Sequence, residues 1–277
     1  MIPKPPKDRR VHRLREINIY EADYNMCLGI LWRKLLNKMD REGTLHSDQH
    51  GSCRGHSAQA LPFAEEILYD HSRFMQALLI NFDNDAMSCY DRIIPSFAGM
   101  TAKSYGQSDA AVYINNITLK TAKYFLKMGG ETTKHSYENS DDFELYGTGQ
   151  GSANSPTIWA MISSTLFTAQ EELAFGAEME SPNGSLSAKV SIFGYVDDSA
   201  GRVLDFKDSL EVLVAKLVEK MEHNAQIWSD ILWFSGGRLE LVKCSYHVMA
   251  PVYDKEGRVK VDVIPKHQPI TQNGCKP

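Results

Sequence analysis

The sequence holds no apolar run approaching 18 residues, so no helix is expected to span a membrane and no membrane partner is expected. Its first residues, Met1-Ile2-Pro3-Lys4-Pro5-Pro6-Lys7, lack the apolar stretch of a secretion signal. There is no Cys-x-x-Cys pair. The five cysteines, Cys27, Cys53, Cys89, Cys244 and Cys275, are scattered and odd in number, which argues against a structural zinc. They argue instead for a reducing, intracellular setting, with nucleus and cytoplasm both open. No internal repeat and no long Gly/Ser-rich or Pro-rich linker is present. Positive charge is short as well: the net charge of −5 departs from the basic footprint usual for a protein that holds nucleic acid. Its distribution is uneven. Residues 1–41 carry ten Lys and Arg against five Asp and Glu, a balance of +5, which leaves −10 for residues 42–277. The basic excess at one end suits a phosphate-bearing partner or a solvated helix face.

What is present is ordinary for a globular protein. The chain has 277 residues, 43% of them hydrophobic and 23% charged, enough for a full core and for two subdomains. Residues 8–19 read as extended, with alternation through Val11, Arg13, Arg15 and Ile17. Glu21 to Met39 is amphipathic at helical spacing, with Leu28, Leu31, Leu35 and Leu36 on or near one face, and a second helix is expected from about Ser57 to Met75. The apolar run of residues 77–82 fits a buried strand. A helix over 109–128, closed by Gly129-Gly130 as a C-cap, and a polar loop or exposed hairpin over 131–146 follow. Ser155-Pro156 predicts a helix start, serine as N-cap and proline at the first helical position, with the helix running to Phe175. A long helix from Asp208 to Phe234, stopped by Ser235-Gly236-Gly237, precedes two strands, 245–253 and 258–264. Elements of both kinds without a regular βαβ rhythm predict an α+β protein with a small antiparallel sheet.

The segment Ser191-Ile192-Phe193-Gly194-Tyr195-Val196-Asp197-Asp198-Ser199-Ala200-Gly201-Arg202 carries the most chemistry. An apolar run leads into two adjacent aspartates, then a small polar turn, then a second strand from Arg202 to Phe206, a hairpin with two carboxylates at its tip. Adjacent carboxylates repel unless a cation lies between them and something else, so the pair suggests a divalent metal. Nucleotidyl transfer by two metals needs such a pair and a further carboxylate at the end of a neighbouring strand. Asp85 follows the strand of residues 77–82 at such a point, and periodicity alone does not separate it from Asp83.

The tetrapeptide Tyr195-Val196-Asp197-Asp198 resembles the active-site box of reverse transcriptases. Asp85 and Asp91, six apart with Tyr90 between, resemble the first catalytic box of the non-LTR retrotransposon and group II intron type. Gly147-Thr148-Gly149-Gln150-Gly151-Ser152-Ala153-Asn154-Ser155-Pro156 is similar to the family's Gly-x-x-Gln-Gly-x-x-x-Ser-Pro box, with glycine at 149 where proline is common. Looser likenesses surround these three. Val11-His12-Arg13-Leu14-Arg15-Glu16-Ile17 resembles the fingers strand with a triphosphate-binding arginine, Arg15 fitting best and Arg13 next. Gln49 to Ser57 looks like a Gln-x-Gly-x-Arg-x-Gly-x-Ser segment, with Cys53 where arginine is usual and His56 where another basic residue is usual. Gly236 to Cys244 resembles the segment after the active-site hairpin, and the last two strands the primer grip.

The resemblance implies a right-hand polymerase: fingers of residues 1–76 and 95–146, a palm of 77–94 and 147–262, a tail of 263–277, and no thumb. It implies a reverse transcriptase, an RNA-directed DNA polymerase acting on a primed RNA or DNA template with dNTPs, a longer precursor or partner chain supplying the thumb. Asp85, Asp197 and Asp198 are the implied ligands of two Mg²⁺ ions, for which Mn²⁺ could substitute, with the carbonyl of Ala86 completing one shell. Tyr90 is the implied gate against a 2′-hydroxyl, and Asp91 a structural helix N-cap. Gln150 and Gly151 are the implied contacts to template or nucleotide, Arg15 to the triphosphate, Lys243 the proton donor to pyrophosphate, and Tyr195 a further substrate contact. No endonuclease, RNA-strand nuclease or Cys/His knuckle is seen. The alternatives are an inactive or truncated remnant that binds nucleic acid without processive synthesis, an RNA-dependent RNA polymerase, and a metal-dependent nuclease.

Overall fold

The computed structural model describes residues 2–3, 14–15, 17–51, 53, 55–57, 59–87, 89–140, 145–181, 183–205, 210–253, 255–256 and 259–264. A two-residue ladder pairs β1 (Ile2–Pro3) with β2 (Leu14–Arg15), and α1 (Ala22–Glu42), α2 (Ala60–Met75) and β3 (Leu78–Asn84) follow. Next come α3 (Cys89–Arg92), α4 (Pro95–Ser104) and α5 (Asp109–Thr121). Four short strands come after them: β4 (Lys123–Tyr124), β5 (Lys127–Met128), β6 (Glu131–Thr132) and β7 (Tyr137–Glu138). The rest of the chain runs through α6 (Ser155–Leu173), β8 (Ala177–Glu180), β9 (Ser187–Val190), β10 (Ile192–Tyr195), β11 (Asp198–Asp205), α7 (Leu210–Phe234), β12 (Ser245–Tyr253) and β13 (Val259–Ile264).

The chain divides into two compact units, Met1–Thr44 with Ser88–Met161, and Leu45–Met87 with Ile162–Pro277. In this grouping residues 45–76 fall with β3, and residues 147–161 with α3 to α5. Among the described residues no helix is long and apolar enough to cross a membrane.

The first unit is helical. Its α1 buries Leu28, Trp32, Leu35 and Met39, the spacing of an amphipathic helix with one apolar face. Ser108 caps α5, its hydroxyl accepting the Ala111 N–H at 3.3 Å. The expected helix over 109–128 ends early, at Thr121, because Tyr124 and Phe125 favour an extended chain and Ala122 is extended at φ −64°, ψ 141°. Gly129 and Gly130 are not a helix cap. Both have positive φ (62° and 92°) and join β5 to β6 in the primed-turn conformation that suits tight hairpins. The hairpin expected within 131–146 therefore begins eight residues sooner, at Lys123. Ser155 opens α6 as expected but does not cap it. Its hydroxyl donates to the carbonyls of Thr148 (3.0 Å) and Gly149 (2.9 Å), tying the helix start to the preceding glycine loop.

The second unit is built on a five-stranded antiparallel sheet of order β10-β11-β3-β12-β13. Its central strand β3 is buried on both faces from Leu78 to Phe82, an apolar run interrupted by Asn81 in a strand covered on each side. Leu68 of α2 packs with Leu79, Phe193, Leu204, Ala177 and Val190 in one core cluster. The α7 helix lies against β3 and β11 and buries Leu217, Met221, Ala225, Trp228 and Leu232. It stops as the sequence predicts: the N–H groups of Gly236 and Gly237 donate to the carbonyls of Trp233 (2.9 Å) and Leu232 (3.0 Å). The expected start of α7 at Asp208, and the extended run of residues 8–13, lie outside the described residues.

One charge is buried deep in this unit. Arg202 of β11 is 1% exposed, donates to the Gly201 carbonyl at 2.8 Å, pairs with Glu65 of α2, and lies 5.9 Å from the Phe193 ring centre. Removing one partner of such a pair strands the other in a medium that solvates it poorly. Glu65→Ala is therefore expected to destabilise the fold by about 3 kcal/mol, read as a lowered urea midpoint. An unchanged midpoint would mean that Arg202 is satisfied without Glu65.

Candidate active site

The paired aspartates lie where β10 turns into β11. Tyr195 faces Asp198 as the closing pair, so the turn consists of Val196 and Asp197 alone. The polar turn expected after the aspartates is instead strand, and β11 starts at Asp198 rather than Arg202. The reason is pairing: Ser199, Ala200 and Gly201 face Asn84, Asp83 and Phe82 of β3. Gly201 is required there, since a Cβ would fall 1.8 Å from the Phe82 ring. Val196 takes φ 59°, a left-handed conformation that a branched residue adopts at a cost.

Residues 46–51 hold that strained turn. The backbone of Asp48 to His50 runs along the edge of β10, with Gly194 N–H donating to the Asp48 carbonyl (2.9 Å) and His50 N–H to the Gly194 carbonyl (2.8 Å). The fully buried Gln49 then grips the turn residue at both ends. Its Nε2 donates to the Val196 carbonyl (3.3 Å) and to Ser163 Oγ (2.8 Å). Its Oε1 accepts from the N–H of Val196 (3.3 Å) and of Gly51 (2.9 Å). Gly51 is pressed so close that a Cβ would meet the Val196 nitrogen at 2.4 Å. Sequence reasoning gave this Gln-x-Gly segment no role at the hairpin; the spacing of Gln49 and Gly51 was the signal. Beside it, the Asp48 carboxyl is pushed up to about 6, chiefly by burial, with His46 opposing and Glu171 adding to the rise.

Asp85 follows the end of β3. One residue beyond the Ser199–Asn84 pair, the β11 register leads to Asp198. On the other side the β12 ladder ends at the Ser245–Asp83 pair, and residues 241–243 form a turn. Lys243 Nζ lies 2.9 Å from Asp85 Oδ2. The lysine stands on a turn fixed to the same strand end, because Glu240 N–H donates to the Asp85 carbonyl (2.8 Å) and Met87 N–H to the Arg238 carbonyl (2.7 Å). That ladder brackets the Ala86–Leu239 bridge and makes no use of the Ala86 carbonyl. Asp83 differs from Asp85: it lies within the paired part of β3, 3.7 Å from His247.

Asp198 senses the other two aspartates. Asp198 is pushed up by partial desolvation first, then by the negative charges of Asp197 and Asp85, while Lys243 opposes. An all-oxygen set with uncompensated negative charge is the donor chemistry that Mg²⁺ prefers. The distances do not match it in this conformation. Among the described residues no three His, Cys, Asp or Glu side chains stand close enough to hold an ion, and Asp85 spends one oxygen on Lys243. The residues fit a magnesium site by chemistry, with Lys243 as the cation now beside Asp85.

The remaining expected residues belong to the first unit. Thr148 N–H donates to the Tyr90 carbonyl (2.9 Å), and Gln150 Nε2 to Asp91 Oδ2 (3.1 Å), so the first box and the glycine loop are bound together. Tyr90 rests against Trp159 with ring centres 6.1 Å apart. Asp91 lies inside α3 and takes the Gln150 amide, so it is not the expected N-cap; Ile94 occupies that position for α4. The glycines at 149 and 151 admit the chain's own atoms: a Cβ at 149 would meet the Tyr20 hydroxyl at 2.2 Å, and one at 151 the Asn18 carbonyl at 2.3 Å. Arg15 lies on β2, its side chain outside the described set.

No family model matches the sequence, and no curated protein matches it either. Solved structures do. The apo telomerase of Candida tropicalis, truncated from its C-terminal domain, matches with a TM-score of 0.50 at 12% identity, over 86% of this chain and 45% of that one. Telomerase from the same organism, in complex with the TWJ fragment of telomeric RNA, matches with a TM-score of 0.52 at 12% identity, over 82% of this chain and 35% of that one. The likeness is one of fold. This chain spans less than half the length of the telomerases it matches.

Two outcomes are expected at this centre. Gln49→Ala removes a buried clamp, with a stability loss of about 2 kcal/mol and faster amide exchange across residues 194–198. Unchanged exchange there would show that the turn supports itself. Asp48 binds its proton more tightly folded than unfolded, so its charged form opposes folding as pH rises from about 4 to about 6. Thermal transitions of Asp48→Asn and the native chain should coincide near pH 4 and separate by pH 7, the variant melting higher. A separation that grows toward low pH would reverse the assignment.

Proposed function

We propose that this chain is the catalytic core of an RNA-directed DNA polymerase of the non-LTR retrotransposon or group II intron type. The observation that carries the reading is the meeting of Asp85 and Asp198 at one end of an antiparallel sheet whose fold is reverse-transcriptase-like. In this reading Asp85, Asp197 and Asp198 hold two Mg²⁺ ions, or Mn²⁺ in their place, and the Ala86 carbonyl contributes to one shell. Ions bound there would assist loss of the primer hydroxyl proton and neutralise charge on the transferring phosphoryl group. The primer 3′-oxygen attacks the α-phosphorus of a dNTP, the new P–O bond forms as the bond to pyrophosphate breaks, and the attacking oxygen gives up its proton. In this reading Lys243, which pairs with Asp85, donates a proton to pyrophosphate. By the same resemblance Tyr90 excludes a 2′-hydroxyl, Gln150 and Gly151 contact template or nucleotide, Arg15 the triphosphate, and Tyr195 the substrate beside Asp198. The partners are a primed RNA or DNA template and dNTPs, with a thumb drawn from a longer precursor or another chain, and the setting is intracellular.

A second reading has its own support. The Asp85–Lys243 pair, and the lack among described residues of a three-ligand group, favour a remnant that binds nucleic acid without synthesis.

Primer extension on an RNA template with Mg²⁺ separates the two. The native chain should incorporate dNTPs over rNTPs, and Asp197→Asn should lose at least about 10³-fold in rate while keeping its circular dichroism. Incorporation of rNTPs would reassign the chain to RNA synthesis. A folded native chain that binds primer–template and extends nothing supports the remnant, and full activity in Asp197→Asn removes the aspartate assignment.

A further inference from the structure

The helical unit contains a second feature that the polymerase reading does not use. Residues 123–138 form one hairpin inside another: β5 pairs with β6 across Gly129-Gly130, and β4 pairs with β7 outside them. Each ladder is only two residue pairs long, too short to persist on backbone bonds alone. The outer pair is held instead by side chains. Tyr124 and Tyr137 stand opposite each other with near-parallel rings, centres 5.2 Å apart and planes 21° apart, and Lys123 pairs with Glu138 at 3.3 Å.

Under this hairpin lies a cavity of about 790 Å³ whose aromatic lining comes from Tyr20, Tyr24, Tyr124, Phe125 and Tyr137. Its size is within the range of about 300–1,000 Å³ for small-ligand pockets. Tyr20 and Tyr24 place their ring centres 6.1 Å apart, and Tyr24 is hydrogen-bonded to Thr118 on α5. The Tyr20 phenol is held neutral, its titration pushed up by burial first and by Tyr124 next. Lys123, Lys127 and one carboxylate, Glu21, line the same cavity. Residues 118–140 carry four lysines against two glutamates, +2, in a chain whose net charge is −5. The hairpin also exposes large apolar surface: Phe125 is 54% and Met128 64% exposed.

Tyrosine π faces in a cavity lined also by Lys127 match one chemistry, a nucleobase stacked on a ring with its phosphate near a lysine. An apolar peptide would gain nothing from the lysines or from parallel tyrosine planes. We propose that the nested hairpin of residues 123–138, with Tyr20 and Tyr24, is a stacking site for unpaired nucleotides of a single-stranded nucleic acid. The site uses none of the aspartate centre and stands whether or not the chain polymerises.

The test uses the full chain and a fluorescent 12-nucleotide RNA with one 5-iodouridine, read by anisotropy and by photo-cross-linking with mass spectrometry. Tyr124→Ala is expected to weaken binding roughly tenfold, and Tyr124→Phe, which keeps the ring, to bind as the native chain does. Lys127→Ala should lower the slope of log affinity against log salt by about one unit. Cross-links should map to the tyrosines of this cavity, a readout that needs neither catalysis nor a mutant that folds. Absence of binding at low salt, cross-links confined to other segments, or equal affinity in a folded Tyr124→Ala would each overturn the proposal. So would self-association through the hairpin, seen as concentration-dependent sedimentation lost in Phe125→Ser, without cross-links at the tyrosines.

Discussion

The second unit depends on β3 being paired antiparallel on both sides. A strand so placed has neighbours that run the same way as each other, so the beginning of β11 and the beginning of β12 meet the end of β3. Side chains from three distant stretches of sequence thereby reach one edge: Asp85, Asp198 and Lys243. On the β11 side a side chain of β3 enforces the register and allows little slippage. Gly201 exists because the Phe82 ring occupies the space where a side chain would be, and a shift of one residue would place Arg202 against that ring.

The consequence is a centre with excess negative charge in which Lys243 contacts Asp85. Asp198 is raised because Asp197 and Asp85 are near and because water is partly excluded; Lys243 offsets only part of this. Such a centre stores electrostatic repulsion that a bound divalent ion would relieve, and that the ammonium of Lys243 relieves in the present conformation. The fold keeps this tension at its edge, and uses buried pairs such as Arg202–Glu65 for the interior.

The sequence was most legible where one physical rule acted alone. The apolar run ahead of Asp85 is a buried central strand, the Ser235-Gly236-Gly237 stop is a helix end, and the final two strands pair as expected. It was least legible where tertiary pairing overrode local preference. Ser199 to Gly201 reads as a turn by composition and is strand, because β3 supplies partners. Gly129-Gly130 reads as a helix cap and is a hairpin turn, because Lys127 pairs with Thr132 across it. The link from Gln49 to Val196 lies beyond any local pattern, since those residues are 147 apart in sequence. Serine at 155 and aspartate at 91 show the converse: both are good capping residues, yet each is engaged elsewhere, by the glycine loop and by Gln150.

The left-handed Val196 deserves a different description from that of a strained turn. Turns usually acquire their shape from their own residues, glycine and asparagine above all, and change shape when those residues change. Here the bend is imposed by the backbone and side chain of residues 48–51, which hold the valine by its amide and its carbonyl. Shape and composition are thus uncoupled at the tip of the hairpin. Valine can stand at 196, where a glycine or asparagine would be usual, because bending the chain is the task of another segment.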